Sequence, residues 1–454
     1  MRFMRRMRPW LLTLPVLLLA VTLTALLAAC GGGEEKGAGG TNFKTIKVVP
    51  VSLQGATPSG TPAATPAATP AGTPAATPPA GGPLKIGMLF DYTGSLGEFG
   101  PNMETGAQLA VKQINAAGGV LGKPVQLIKA DAGTSPQVGV ESATRLVNVD
   151  GVQAIVGCLS SGVTIAVAEG VAVPNKIVMI SPASTSPGLT AVEDNDFLFR
   201  TVLSDAAQGV VLADWAVEKG YKKVATFYTN NAYGKGLSDQ FVKSFEEKGG
   251  TVTAAVSHEQ EQTTYLSELQ KAVAGSPDVL VAISYPAEGK IYLKEAIENK
   301  LIDKFLFVDG TKSQEIVDAI GAAALEGTTG TSPSAVENAK ATAKFDADYK
   351  AEYGKDVPAL PYVRESYDAV VAIALAAEAA KSTDPTKIRD NLRKVDGPPG
   401  EKIAAGADGV QQALTAIRAG TDIDFEGAAN SDNFDANGDV LTGAIEIFKI
   451  VGGK

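Results

Sequence analysis

Hydroxyl-bearing residues follow two of the apolar runs in this sequence, where they could bind an anion. Ser160 and Ser161 come shortly after a run that ends at Gly157, and residues 181–187 read Ser-Pro-Ala-Ser-Thr-Ser-Pro after a second run. Hydroxyls and free backbone N–H groups at the start of a helix suit a carboxylate. Helix capping alone explains the serines of the first loop equally well. If the two loops converge, we expect a small carboxylate pocket.

Acidic and tyrosine residues follow later apolar runs, where they could hold an ammonium group. Asp205 comes after Phe-Arg-Thr at 199–201, Tyr233 follows Asn-Asn-Ala, and Tyr285 and Asp309 each end a run. Taken singly, such residues are more often turn or capping residues. Their shared place after strands makes them candidates for one site.

The sequence gives little support for catalysis or for metal binding. The sequence has one histidine, His258, and no Gly-x-Ser-x-Gly elbow, which argues against serine hydrolase chemistry. We expect His258 in a solvent-exposed loop or strand end. The Gly-rich residues 94–100 lack the spacing of a phosphate-binding loop, and residues 433–438 imitate a calcium loop that has Ala444 where its last glutamate belongs. We therefore predict no catalytic residue, no metal and no cofactor, and a hairpin turn at 433–438.

The N-terminal residues are typical of an export signal. Residues 1–8 include four arginines and no acid, and an apolar run from Trp10 to Ala29 follows. We assign residues 1–29 to a signal peptide. An uncleaved membrane anchor is the alternative, because about 20 apolar residues can span a bilayer. Either way, the rest of the chain is expected outside the cytoplasm.

A tether is predicted at residues 30–83. Leu-Ala-Ala-Cys at 27–30 resembles the lipobox of bacterial lipoproteins, which implies that Cys30 is lipidated and anchors the chain to the cell membrane. Repeats such as Thr-Pro-Ala-Ala place proline too often for a helix or a sheet and favour an extended segment. The short apolar stretch from Ile46 to Val51 could form a strand, but we treat it as part of this spacer.

The mature chain is predicted to be acidic. Removal of residues 1–29 takes four of 40 basic residues and none of 50 acidic ones, which leaves a formal charge of −14. Such a chain repels phosphate backbones, so nucleic acid is not an expected partner. With Cys30 lipidated, Cys158 is the one cysteine left, and we expect a small, partly buried residue there.

From residue 84 onward, short apolar runs alternate with helical patterns over about 370 residues, more than one hydrophobic core usually serves. This alternation predicts an α/β fold of two lobes with doubly wound parallel sheets, in which ligands bind at the carboxyl ends of the strands. A helix is predicted at 105–116. Strands are predicted at 85–90, 125–130, 154–157, 178–181, 224–228, 279–284 and 306–309.

Several motifs occur in an order that resembles a known family. They lie at 114–122, 181–187, 199–201, 233–236, 367–370 and 434–439. Together they resemble the branched-chain amino-acid (leucine, isoleucine and valine) binding proteins of ABC transporters, which have the type I periplasmic-binding-protein fold. The resemblance extends from about Leu84 to the C-terminus.

The resemblance implies a ligand site and gives roles to its residues. The α-carboxylate would bind at Ser161, or at Ser160 if the loop is shifted, with Ala183 and Thr185. The positions on the ammonium side and on the closing lobe would be Asp205, Tyr233, Tyr285 and Asp309, with an aromatic wall at Phe99. Asp309-Gly310 stands where the family usually has Glu-Gly, a difference that falls on the ammonium side of the site.

The resemblance also implies a hinge and a role in transport. Three crossings near Ser204, Ser332 and Phe425 would divide the chain into one lobe of residues 84–204 and 332–425 and another of 205–331 and 426–454. The lobes would close on an amino acid and deliver it to the transmembrane subunits of an ABC permease. Alternatives are an extracellular sensor of the same fold and a binder of amides, urea or aromatic acids. An exported enzyme that uses acids such as Asp205 and Asp309 is a remote alternative.

Overall fold

The structure, a computed structural model, describes residues 42–53, 82–336, 340–431 and 433–452. The predicted signal peptide, Cys30 and most of the predicted tether lie outside them. The described strands, β1 to β14 in order, are Phe43–Ser52, Lys85–Phe90, Gln126–Asp131, Ala154–Gly157, Val178–Ser181, Leu198–Arg200, Lys223–Thr229, Thr251–His258, Val279–Ile283, Phe305–Phe307, Thr329–Ser334, Glu401–Ala404, Ile423–Glu426 and Thr442–Ile450. The described helices, α1 to α14 in order, are Gly100–Ala116, Pro136–Arg145, Ser161–Val167, Val173–Asn175, Asp205–Glu218, Ala232–Glu247, Leu266–Val273, Pro286–Glu298, Gln314–Ile320, Ala322–Leu325, Lys340–Tyr353, Val363–Ala379, Pro385–Val395 and Ala407–Ala419.

The described strands form two large sheets and one small one. Five parallel strands make the first, in the order β3-β2-β4-β5-β6. Seven strands make the second, in the order β1-β14-β11-β10-β9-β7-β8, with β14 antiparallel to both of its neighbours. β12 and β13 form a separate parallel pair. We call the part built on the five-stranded sheet lobe 1 and the part built on the seven-stranded sheet lobe 2. The predicted α/β class is confirmed.

The central strands follow directly from the sequence because both faces of each are buried, which requires a continuous apolar run. All residues of β4, β5 and β9 are buried. The predictions at 85–90, 154–157 and 178–181 match β2, β4 and β5, and the other four predicted strands agree with the structure to within two residues. Helix α1 begins earlier than predicted, with a proline in its first turn, where the missing N–H costs nothing.

The chain passes between the two lobes more than once after β2. It leaves the lobe 1 sheet after β6, and α5 then leads into β7 of lobe 2. After β11 it returns, and α12 packs along α1 of lobe 1. After β13 it enters β14 of lobe 2. Parallel strands in both lobes place their carboxyl ends, and the loops that follow them, at one edge of each sheet.

The interpretation of the stretch from Ile46 to Val51 as spacer is wrong. Residues 43–52 form β1, which pairs with β14 along its length. Phe43 is buried and packs edge-on against Phe448, with ring centroids 5.6 Å apart. As the edge strand of its sheet, β1 needs few buried side chains and tolerates Pro50, so its sequence resembles a linker.

Two further expectations need correction, because both side chains lie inside the protein. His258 lies at the end of strand β8, which agrees with the expected strand end. It is not solvent-exposed, however, because only 2% of it is accessible and its ring stacks on Phe227 at a centroid distance of 4.8 Å. Burial lowers the pKa of His258 to about 4. Cys158 is fully buried, and burial raises the pKa of its thiol, which keeps it in the unreactive form.

The acidic stretch near the C-terminus is the predicted hairpin turn. Phe434 and Val440 form an antiparallel bridge, and the Asp435 carboxylate accepts hydrogen bonds from the N–H groups of Asn437 and Asp439 at 2.7 and 3.0 Å. Within the described residues, no group of histidine, cysteine and acidic side chains is arranged to hold a metal ion.

None of the helices described in the structure is long and apolar enough to cross a membrane.

Helices α1 and α12 approach closely at Gly106. A Cβ at this position would stand 2.0 Å from the Val363 carbonyl oxygen, at the beginning of α12. We expect Gly106→Ala to displace the start of α12 and to lower the free energy of unfolding by about 1–3 kcal/mol, the usual cost of overpacking. Chemical denaturation measures this change. Gly170→Ala is the matched control, because the nearest atom there is a Val140 methyl at 3.8 Å; equal destabilisation by both substitutions would contradict the packing argument.

Candidate functional site

The two hydroxyl-bearing loops lie side by side at the carboxyl ends of β4 and β5. The Ser161 hydroxyl accepts a hydrogen bond from the Ser186 N–H at 3.2 Å, and the hydroxyls of Thr164 and Ser184 lie 2.7 Å apart. Gly157 permits the turn out of β4, because its φ is 137° and a Cβ there would stand 2.0 Å from a carbonyl oxygen of β2. The two loops therefore converge.

A buried arginine holds the second loop in place. The Nη1 of Arg200 donates to three successive carbonyl oxygens, those of Ser184, Thr185 and Ser186, at 3.3, 3.1 and 2.9 Å. Its Nε donates to the Asp439 carboxylate at 2.6 Å, and only 1% of the arginine side chain is exposed. The hairpin turn that imitated a calcium loop therefore supplies the counter-charge of this arginine.

Two tyrosines of lobe 2 face the first loop. Tyr233 and Tyr285 stack with ring centroids 5.3 Å apart and planes inclined by 12°. The Tyr285 hydroxyl lies 3.2 Å from the Ser160 hydroxyl and accepts a hydrogen bond from the Asn231 side chain at 3.2 Å. Because Ser160 belongs to lobe 1, its hydrogen bond with Tyr285 joins the two lobes.

The Asp309 carboxylate is buried and accepts three hydrogen bonds. Its Oδ1 accepts from Gln208 Nε2 at 2.7 Å and from the Tyr233 hydroxyl at 3.0 Å, and its Oδ2 accepts from the Tyr362 hydroxyl at 2.5 Å. Burial raises the pKa of Asp309, and the three donors oppose that rise. Tyr362 precedes α12, which packs on lobe 1, so its hydrogen bond to Asp309 also joins the lobes.

Asp205 carries a second buried carboxylate, and among the described residues neither of its oxygens has a hydrogen-bond partner. Burial raises the pKa of Asp205, and the nearby charge of Asp309 raises it further, while the Thr185 hydroxyl and the Arg200 guanidinium act in the opposite direction. The Thr185 hydroxyl is likewise buried and lies near this carboxylate, without hydrogen-bond geometry to it or to any other described group. Unpartnered buried polar groups are costly, so these two side chains are arranged for something other than stability.

A cavity of about 10 Å³ lies between the lobes, close to the space that one water molecule needs. It is lined by Leu96, Phe99, Leu159, Ser161, Ala183, Tyr233, Tyr285, Asp309, Gly310 and Tyr362. Six of the predicted site residues are in this lining. Of the other three, Ser160 reaches the lining through Tyr285, the Asp205 charge acts on Asp309, and the Thr185 carbonyl oxygen accepts from the Asp205 N–H at 2.8 Å. Ligand binding by these nine residues stays a prediction.

Sequence reasoning missed several residues of the site, above all Tyr362. This residue caps α12 at a φ of 77° and packs edge-on against Phe99 at 6.2 Å. The element directly before it in the chain is helix α11, so a search of strand ends does not find it. Gln208 was missed because it lies inside α5, one turn beyond Asp205, where helical periodicity gives no reason to expect a buried polar side chain.

Sequence similarity to known proteins identifies the family of this two-lobed chain. The sequence profile of the periplasmic binding protein family matches residues 83–420. The chain belongs to this family. It is 32% identical over 302 residues to Leu/Ile/Val-binding protein homolog 3 of Brucella melitensis, an alignment that covers 66% of this chain and 80% of that protein. It is 31% identical over 315 residues to the leucine-, isoleucine-, valine-, threonine- and alanine-binding protein of Pseudomonas aeruginosa, with 68% and 82% covered. The predicted branched-chain amino-acid binding family is confirmed.

Solved structures agree with this fold. The leucine-binding protein LivK of Thermotoga maritima superposes with a TM-score of 0.68 at 26% identity, over 82% of this chain and 96% of that one. The branched-chain amino-acid transporter substrate-binding protein LivJ of Streptococcus pneumoniae, solved in complex with isoleucine, superposes with a TM-score of 0.65 at 26% identity, over 82% and 97%. The type I periplasmic-binding-protein fold is confirmed.

Asp205 is expected to reduce the stability of the protein. We expect Asp205→Asn to raise the free energy of unfolding at neutral pH by about 1–3 kcal/mol, because it removes a buried charge without partners. The pKa of Asp205 is raised in the fold, so ionisation costs stability above the usual carboxyl pKa near 4; below that pH both proteins are neutral there and the gain should vanish. Denaturant titrations at several pH values measure the difference.

The matched control for this substitution is Asp214→Asn, on the same helix. The Asp214 side chain is 61% exposed and pairs with Lys248 at the surface, so its removal should change stability by less than about 0.5 kcal/mol at every pH. A gain from Asp205→Asn that does not depend on pH, or one equal to that of the control, would refute the assignment of strain to this carboxylate.

Proposed function

We propose that this protein binds a free amino acid, most favourably a branched-chain one, between its two lobes. The observation that carries the proposal is the buried carboxylate of Asp205, which lacks a hydrogen-bond partner within the described chain and lies near the second buried carboxylate, Asp309. An ammonium group would supply donors and a positive charge where two carboxyl groups are buried together. Charge-assisted hydrogen bonds of this kind are the strong ones.

The carboxylate end of the ligand is assigned to lobe 1. The Thr185 hydroxyl is buried without a partner in the described chain, and Ser161 begins α3 beside it, where helix N–H groups favour negative charge. Ala183 lines the cavity between these residues and the tyrosines. A zwitterion would then be held by hydroxyls and backbone groups at one end and by acids at the other.

The side chain of the ligand would meet an apolar wall. Leu96, Phe99 and Leu159 line the cavity from lobe 1, and the ring of Tyr233 lines it from lobe 2. Such a wall suits an aliphatic side chain. The relatives from Brucella melitensis and Pseudomonas aeruginosa carry leucine, isoleucine and valine in their names, which supports the same ligand class here.

Ligand entry would require the lobes to separate, because a cavity of about 10 Å³ cannot hold an amino acid. Contacts between the lobes include Ser95 with the Glu288 carboxylate at 2.5 Å and the Glu98 carboxylate with the Gln314 N–H at 2.9 Å. We assign the hinge to the crossings near Ser204, Ser332 and Phe425 that divide residues 84–204 and 332–425 from 205–331 and 426–454. The ligand would favour closure to the extent that it binds the closed form better than the open one.

The biological role that follows is delivery of the amino acid to an ABC permease. Residues 1–29 would direct export, and lipidation of Cys30 would anchor the mature protein to the cell membrane. The protein would bind its ligand without transforming it, as its relatives are solute-binding proteins. The transmembrane subunits of the permease would be its protein partner.

A ligand panel tests both ends of the site. We expect L-leucine, L-isoleucine and L-valine to raise the Tm of the purified chain, refolded to remove carried-over ligand, because saturation at a hundredfold above Kd adds about 2.7 kcal/mol. Leucinamide lacks the carboxylate and 4-methylpentanoate lacks the ammonium group, so neither should reproduce the shift. A shift with amides, urea or aromatic acids and none with leucine would overturn the amino-acid assignment.

Thr185→Val separates binding from stability. The substitution removes a buried hydroxyl without a partner, so the free energy of unfolding should not fall, while affinity for leucine should drop about 10- to 100-fold through loss of a hydrogen bond to a charged group. Thr226→Val is the control: its hydroxyl lies 2.8 Å from that of Ser238 inside lobe 2, so it should lower stability and leave affinity unchanged. Calorimetric titration measures affinity; an unchanged Kd in Thr185→Val would refute the carboxylate assignment.

A further inference from the structure

Strand β1 stands outside the part of the chain that matches the family, which begins at residue 83. It nevertheless completes the edge of the lobe 2 sheet, where it pairs with β14. A strand at this place could simply cover a sheet edge, as its exposed residues Lys44, Lys47 and Pro50 would allow. Side-chain hydrogen bonds of Asn42 and of the exposed Thr45, however, lead to the ligand site.

The first contact joins the beginning of β1 to the beginning of α9. The side chains of Asn42 and Gln314 face each other: Gln314 Nε2 donates to Asn42 Oδ1 at 2.9 Å, and the Asn42 N–H donates to Gln314 Oε1 at 3.4 Å. The Asn42 side chain is itself held by the Val451 carbonyl oxygen at 2.7 Å. Gln314 is thus fixed from the side of β1.

The second contact passes through a buried ion pair. Glu446 of β14 accepts a hydrogen bond from the Thr45 hydroxyl at one oxygen and forms an ion pair with Lys312 at the other. The side chains of Lys312 and Glu446 are only 6% and 7% exposed, so this pair depends on complete hydrogen bonding. A β-bulge at Ile46 interrupts the register directly after Thr45, and bulges change the direction of neighbouring side chains.

Both contacts end in one short segment, residues 309–314, and this segment contributes to the ligand site in two ways. Its first residue is Asp309, the acid that faces the cavity. Near its end, the Ser313 hydroxyl and the Gln314 N–H both donate to the Glu98 carboxylate of lobe 1. The segment therefore carries an expected ligand contact and a contact between the lobes, and β1 supports it from behind.

We propose that β1 is a positioning element for the ligand site, in which Asn42 and Thr45 hold residues 309–314 in their closed arrangement and so slow the release of the ligand. This inference rests on the proposed amino-acid binding for its effect on affinity. The effect on the segment itself does not depend on any ligand. A strand that only covered a sheet edge would affect stability, but it would leave the release rate of the ligand and the arrangement of residues 309–314 unchanged.

The test compares the unmodified chain with three variants: Thr45→Val, Asn42→Ala and the double variant. In stopped-flow displacement of leucine, we expect each single substitution to raise the dissociation rate about fivefold and the double variant to raise it more than tenfold, with little change in the association rate. Thr45→Ser keeps the hydroxyl and should restore the original rate. Ile46→Thr, at a side chain that is 43% exposed in the same strand, is the control and should leave the rate unchanged.

Amide hydrogen exchange of the ligand-free proteins provides the second readout. The N–H groups of Lys312 and Ser313 are hydrogen-bonded within the segment, and that of Thr311 donates to the Val308 carbonyl oxygen directly before it. All three should exchange faster in Thr45→Val and Asn42→Ala than in Ile46→Thr. Unchanged exchange there, or faster exchange confined to β14, would overturn the proposal. If the unmodified chain binds no amino acid, the proposed function fails, while the exchange rates still decide the role of β1.

Discussion

The candidate site depends on the cost of burying two carboxyl groups, Asp205 and Asp309, close together. Desolvation raises the pKa of both acids, and the nearby charge of Asp309 raises the pKa of Asp205 further. The protein compensates one of them with three donors and, within the described chain, leaves the other without a partner. Under the proposed function, this asymmetry would favour a ligand that brings one positive charge and N–H groups over a neutral or anionic solute of the same size.

Rigid supports make that unfavourable arrangement possible. Arg200 gathers three carbonyl oxygens of the hydroxyl-bearing loop around one guanidinium group and is neutralised by Asp439, far away in sequence. Motifs at 199–201 and 434–439, which looked unrelated in the sequence, are thus two halves of one ion pair. Buried charged groups thus stand on both sides of the cleft, and Arg200 and Asp309 have fixed partners there, whereas the oxygens of Asp205 have none within the described chain.

The sequence predicts those features of the fold and site that depend on residues close together in the chain. Buried parallel strands such as β4 and β5 are continuous apolar runs, so their positions and the loops after them were predicted, and the residues in those loops do meet at one cavity. Tyr362 and Gln208 were missed because their place in the site depends on how a distant helix packs, which no local pattern records. β1 was missed because an edge strand carries a weak pattern, and His258 was misplaced because its aromatic neighbours come from other parts of the chain.

The position of β14 between β1 and β11 has a consequence for the order in which the protein folds. The Phe43 end of β1 pairs with Ile450, so one edge of the lobe 2 sheet brings together the two extremes of the described chain. Such pairings have a high contact order and form late. A chain that emerges from its N-terminus first must keep β1 unpaired until β14 has been released. Truncations that remove β14 would therefore leave the edges of β1 and β11 open to association with other chains.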